Sequence, residues 1–259
     1  MGIFMKMDDL KILLEAEVER HNTHMFIEKD PILIPHEFSL KQDIEISAFW
    51  TAILAWGQRV TIINKAKELF ALMDNAPYDF IINHTEKQRK RFDAFKHRTF
   101  NYTDTLYFLD FLQRHYKENE SLESAFLNRA AVCMNVEDSL IRFRDQFFKV
   151  EYAPQRTFKH IASPAINSSC KRLNMFLRWM VRSDDNGVDF GLWKNISSSQ
   201  LMIPLDVHVA KSSRQLGLLK RKQNDWKAVK ELTEVLRGFD SQDPVKYDFA
   251  LFGMGLVKR

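Results

Sequence analysis

Glycine and proline are scarce. The chain has 8 and 7 of them among 259 residues, about 3% each where about 7% and 5% are usual. Folds built from many strands need both residues at their turns, so a sandwich, barrel or propeller is not expected. No Gly-rich phosphate loop occurs anywhere, which argues against P-loop and Rossmann nucleotide binding. Only two cysteines are present, Cys133 and Cys170. Two thiols cannot supply a disulfide framework, a four-thiolate metal site or an iron–sulfur cluster, and they fit a reducing compartment. No run of 18 apolar residues exists, so no membrane span is expected. The first residues, MGIFMKMDDLKILLEAEVERH, place acids within the apolar stretch and do not read as a secretory signal. These absences lead us to expect a cytoplasmic protein that needs neither a membrane nor a cofactor.

What the chain does have is apolar mass: 45% of residues are hydrophobic and 21 are Phe, which excludes disorder over most of the length. Its net charge is +4, mildly basic and unspecific by itself. Helical periodicity predicts helices at about 8–22, 40–56 (capped by Ser39, ended by Gly57), 60–74, 103–116, 121–131, 136–149, 168–182, 206–216, 225–237 and 244–255, with shorter pieces over 76–100. The 40–56 helix turns apolar nearly all round after Ile44, as a central buried helix does. Asp206, Asp225 and Asp243 stand at or near helix starts, where a carboxylate can satisfy free backbone N–H groups. The predicted fold is all-α, an orthogonal bundle.

The most informative stretch is 152–183. It carries six bases (Arg156, Lys159, Lys171, Arg172, Arg178, Arg182) and no acid, which predicts a local positive surface. Within it, IASPAINSS forms a turn directly before a helix. Free backbone N–H groups at such a place attract anions, and a turn followed by a basic helix is the geometry of a helix-hairpin-helix grip on phosphates. The plainer reading is a solvated basic helix. Lys171 falls in the first turn of that helix beside Arg172, where the helix dipole and the neighbouring cation disfavour the ammonium form. It is either an amine nucleophile or an exposed, phosphate-contacting lysine. Asp206 is either an N-cap or a catalytic carboxylate, and His208 a structural hydrogen-bonder or part of a pocket. Trp50, Trp56, Trp179 and Trp193 could wall a base pocket by stacking or pack the core. No zinc motif is present.

Three separated segments share a pattern. FWTAILAWGQRVTIINKAKELF (49–70) resembles the helix–Gln–helix of endonuclease III-like DNA glycosylases, with Gln58, Asn64, Lys65 and Ala66 in register. SSCKRLNMFL (168–177) resembles the helix after their hairpin, keeping K-x-x-N-x-x-L as Lys171, Asn174 and Leu177. IPLDVHVAKSSRQLGL (203–218) resembles their V-D-T-H segment, with Asp206 and His208 aligned, and DPVKYDFALFGMG is similar to their C-terminal helix. The order of these pieces marks a resemblance to the helix-hairpin-helix glycosylase superfamily, and in detail to an uncharacterised bacterial family of that type.

The resemblance implies two helical lobes and a central cleft: residues 40–183 with the hairpin at about 158–182, a second lobe of 1–39 plus 197–259, and a connecting loop at 183–199. It implies a monomeric, nucleoid-associated DNA base-excision enzyme acting on damaged double-stranded DNA. The damaged base is flipped out, Lys171 attacks the sugar C1′, and Asp206 stabilises the developing cationic sugar. Gln58 fills the vacated space in the duplex. The turn lacks the usual Gly-x-Gly, so Asn167, Ser168 and Ser169, with Arg172, are expected to hold the phosphates, and Trp179, Trp193 and His208 to line the base pocket. No iron–sulfur cluster is expected. The 35-residue spacing from Lys171 to Asp206 resembles that of archaeal oxoguanine glycosylases, which points to an oxidised purine. Two rival expectations are a catalytically inactive DNA-binding module of the same fold and a helical protein-interaction scaffold.

Overall fold

A computed structural model describes residues 6–127 and 134–256. Cys133 and the end of the helix expected over 121–131 lie outside the described residues. Within them the protein is all-α, and no strand is present beyond the isolated bridges His97–Phe100 and Ser168–Asp225. Twelve α-helices run in order: α1 (Met7–His21), α2 (His24–Ile27), α3 (Lys41–Leu54), α4 (Arg59–Ala71), α5 (Pro77–Asn83), α6 (Glu86–Arg89), α7 (Tyr102–Glu118), α8 (Glu137–Phe147), α9 (Lys171–Val181), α10 (Val207–Gln215), α11 (Trp226–Phe239) and α12 (Tyr247–Leu256). Short 3-10 turns link several of them, and one, Leu122–Ala125, stands where the 121–131 helix was expected to begin.

The chain forms two compact units. Of the described residues, one takes 27–127 and 139–162, and the other takes 6–26, 134–138 and 163–256. This differs from the division the sequence predicts. The turn at 163–169 and α9 group with the C-terminal helices, and 183–199 is no linker. That segment folds back along α9, where Phe190 N–H donates to the Trp179 carbonyl at 2.8 Å and Trp193 N–H to that of Met180 at 2.9 Å. It buries Val188, Asp189 and Trp193.

The unit built on 27–127 and 139–162 has an aromatic core. Phe49 on α3 stacks with Phe108 and meets Phe143 edge-on, and Phe126 stacks on Phe143 at 4.1 Å. α3 is buried on nearly every face, as its composition predicts, yet it also buries Glu45. That carboxylate is tolerated because it accepts hydrogen bonds from Tyr116 Oη, Ser121 Oγ and Leu122 N–H. Ser39 does not cap α3. The N-cap position is Leu40 and no side chain bonds there.

In the unit that carries α1 and α9–α12, α1 lays Leu10, Leu14 and Val18 into the core and packs along α12. α10 packs on the same helix. Gly255 on α12 makes that approach possible: a Cβ there would lie 2.7 Å from the His208 carbonyl oxygen. Asp206 and Asp225 cap α10 and α11 as expected. Asp243 does not cap. Its carboxylate accepts from Arg182 Nε at 2.8 Å, because a buried guanidinium needs a charged partner more than an N-terminal N–H does.

Candidate functional site

The turn before α9 is built without glycine. Ser163 is extended and its Oγ accepts from Ala165 N–H at 3.2 Å, which starts a 3-10 turn over Pro164–Ile166. Asn167 then takes a left-handed conformation (φ +56°), and Cys170 takes another (φ +50°) immediately before Lys171. Asparagine tolerates this region; the cysteine is strained there, at about 1 kcal/mol or more. The turn is held from α11. Asn167 Nδ2 donates to Asp225 Oδ2 at 3.1 Å and Trp226 N–H to the Asn167 carbonyl at 3.3 Å, alongside the Ser168–Asp225 bridge. The Arg221 guanidinium holds the Asp225 carboxyl well below the usual carboxylate range, so this strut stays charged down to acidic pH.

Lys171 is the first residue of α9 and is half-buried. Its Nζ donates to Met175 Sδ at 3.3 Å, one turn on. Arg172 is also half-buried; burial pushes its guanidinium down to about 10, still charged at neutral pH. Asn174 Nδ2 donates to the Ser169 carbonyl at 3.2 Å, tying the helix back to the turn. Further along, Arg178 and Arg182 are buried and share Asp189, at 3.2 Å from Arg178 Nε and 3.1 Å from Arg182 Nη1. Arg182 also meets Asp184 and Asp243, and Arg178 Nη1 donates to Asp248 Oδ2. Both guanidinium groups lie over the Phe249 ring, Arg178 at 4.4 Å. The expected positive patch is therefore reduced. Arg178 and Arg182 serve the interior, and Arg156 binds Asp104 within its own unit.

Asp206 stands at the start of α10. A single oxygen, Oδ1, accepts from His208 N–H at 2.8 Å and Val209 N–H at 2.9 Å. Both capping bonds fall on that oxygen, which leaves Oδ2 for another partner. His208 Nδ1 lies 3.2 Å from the Gly255 carbonyl oxygen, with its ring edge-on to Phe252. The histidine thus joins α10 to α12.

One residue records how these groups meet. Asp248, in the first turn of α12, is pushed up to about 7 by burial. Arg178 and Lys171 pull it down, and Asp206 and Asp189 push it up. Lys171 and Asp206 therefore act on a common point although 35 residues separate them in the chain. An amine and two carboxylates from the starts of α9, α10 and α12 converge there. The sequence reading missed Asp248, although its signal was present: it is the one charged residue in the otherwise apolar YDFALFGMGL.

The other expected site residues divide. Asn167 is exposed and Ser168 and Ser169 are half-buried, on the turn as predicted. Ser168 Oγ accepts from Cys170 N–H at 3.4 Å, so it is already engaged within the turn. Gln58 is exposed at the N-cap of α4, behind Gly57, and belongs to the other unit. Trp179 and Trp193 are corrections. They are 0% and 1% exposed, and Trp193 packs edge-on with Phe176 at 5.2 Å. A stacking wall needs an open ring face, and these two are core. Trp50 is core as well. Among the described residues no group of three or more His, Cys, Asp or Glu is arranged to hold a metal ion, and no helix is long and apolar enough to cross a membrane.

Residues 30–257 match the model of a family described as "Protein of unknown function (DUF2400)". The chain belongs to that family. The DUF2400 match spans the turn, α9, α10 and α12, so Lys171, Asp206 and Asp248 all lie inside it. No curated protein and no solved structure matches the chain.

Proposed function

We propose that this DUF2400 protein is a DNA base-excision enzyme of the helix-hairpin-helix glycosylase type, with Lys171 as nucleophile and Asp206 as the essential carboxylate. The observation that carries the reading is the convergence of Lys171 and Asp206 on Asp248, directly after a turn built to expose backbone at a helix start. Breaking an N-glycosidic bond builds positive charge on the sugar, and a poorly solvated carboxylate opposes that charge. The Lys171 amine then bonds C1′ as the base departs. Loss of water from the opened sugar gives a Schiff base, which permits strand cleavage by elimination. The substrate is damaged duplex DNA, with an oxidised purine as the lesion to try first.

Borohydride trapping on a duplex with a single abasic site tests this. We expect a covalent protein–DNA adduct with the wild-type chain and none with Lys171→Ala. Absence of adduct from the wild type on abasic and oxidised-purine duplexes rejects the lyase reading. The burial of Trp179 and Trp193 favours a second reading, a DNA-binding module with no stacking pocket. It predicts duplex affinity that falls steeply with salt and no adduct.

A further inference from the structure

Asp248 has no role in the reaction as outlined, yet it is the most unusual acid in its unit. α12 brings it in among apolar residues, and Arg178 Nη1 holds Oδ2. Arg178 stands seven residues after Lys171, two turns along α9, so both project from one face of that helix. Asp206 arrives from α10, which the close approach at Gly255 fixes against α12. The charged groups around α12 are few. α9 contributes Arg178 and Lys171, α10 contributes Asp206 and His208, and the 183–199 segment contributes Asp189. α1 brings Glu15 to the Tyr247 hydroxyl and His21 to Gly253, and the preceding 3-10 turn contributes Lys246, itself paired with Glu15 and Asp240.

We infer that Asp248 is the proton acceptor for Lys171: it takes the proton that the ammonium must lose before the amine can attack carbon, while Arg178 holds the carboxylate in place. The attack on carbon rests on the function proposed above; the proton exchange does not. The step balances within the pair. An N–H bond of Lys171 breaks and its electrons stay on Nζ, an O–H bond forms on Asp248, and nothing is oxidised or reduced. The other acids are less suited. Asp189 lies between two guanidinium groups, and Asp206 Oδ1 accepts two backbone N–H groups. Burial raises Asp248 to about 7. Against an ordinary aspartate near 3.9, that favours the proton-bearing form about a thousand-fold.

The test needs no DNA. The protein is reductively methylated with ¹³C-formaldehyde, and the dimethyl-lysine signal of Lys171 is identified by its absence in Lys171→Arg. Its chemical shift is followed from pH 5 to 10. We expect an inflection near pH 7, absent in Asp248→Asn. Asp206→Asn keeps the helix cap and removes a neighbouring negative charge, so it moves the inflection to lower pH; this variant carries the test if Asp248→Asn does not fold. A Lys171 signal with no inflection near 7, or one unmoved by both substitutions, overturns the inference. Borohydride trapping with the same variants separates the two ideas. If the function is right and this inference wrong, Asp248→Asn forms adduct at the wild-type rate with the wild-type pH profile. If only the function is wrong, the inflection stands and no protein forms adduct.

Discussion

Replacing Asp189 by asparagine removes the charge that Arg178 and Arg182 share. Its side chain is fully buried and accepts from both guanidinium groups, at 3.2 and 3.1 Å. Breaking a buried ion pair from one side costs about 3–5 kcal/mol, since a buried charge is left unmatched. Here both arginines keep partners, Arg178 with Asp248 and Arg182 with Asp184 and Asp243. The expected loss is therefore at the lower end, about 3 kcal/mol, a large part of a typical total of about 5–15 kcal/mol. The effect is local to the unit that holds α9. Native-state hydrogen exchange of α9 amides is thus the suitable assay, with urea denaturation beside it. We expect α9 protection to fall by about a hundred-fold, and the urea midpoint by about 1 M if the slope is about 3 kcal/mol/M. A loss below about 1 kcal/mol, the size of an exposed pair, would refute the view that Asp189 organises the buried network.

Asp225→Ala removes the cap on α11 and the strut under the turn. It should cost about 1–2 kcal/mol and speed amide exchange across 167–170, and unchanged exchange there would contradict the strut. Gly255→Ala should cost about 1–3 kcal/mol in thermal melts, because the new methyl meets the His208 backbone at 2.7 Å; an unaltered melt would mean that α10 and α12 separate freely. Acid–base titration of stability has a definite sign. Asp248 and Asp243 are both raised by burial, so between about pH 4 and 7 the folded chain binds more protons than the unfolded one. Stability should then fall as pH rises through that window and level off above about 7. Asp248 alone accounts for at most about 4 kcal/mol of the fall, and Asp248→Asn should flatten the slope. A rise in stability across the same window would contradict the burial of these acids.

Much of the helical order was legible because helix starts and faces leave local marks. Asp206 and Asp225 cap where they stand, and Leu10, Leu14 and Val18 lie on the buried stripe of α1. The misreadings share one cause: sequence shows charge but not its partner. Arg178 and Arg182 look like a DNA-facing patch until Asp189, Asp243 and Asp248 are seen to neutralise them from later in the chain. The segment 183–199 looks like a polar linker, yet its Asp189 and Trp193 are buried against α9. Trp179 and Trp193 are apolar surfaces of the right kind for a base pocket, and only packing shows that the core uses them. Asp248 could have been found as a lone acid in an apolar helix, but its neighbours come from three other segments, and no local pattern joins them.

The account depends on Lys171 and Asp206 flanking a place where a sugar can sit. A crystal structure with a duplex containing a tetrahydrofuran abasic analogue measures this directly. We predict the tetrahydrofuran ring between Lys171 Nζ and Asp206 Oδ2, with the DNA backbone against the 163–170 turn. A ring bound elsewhere, or DNA seated away from that turn, would contradict it.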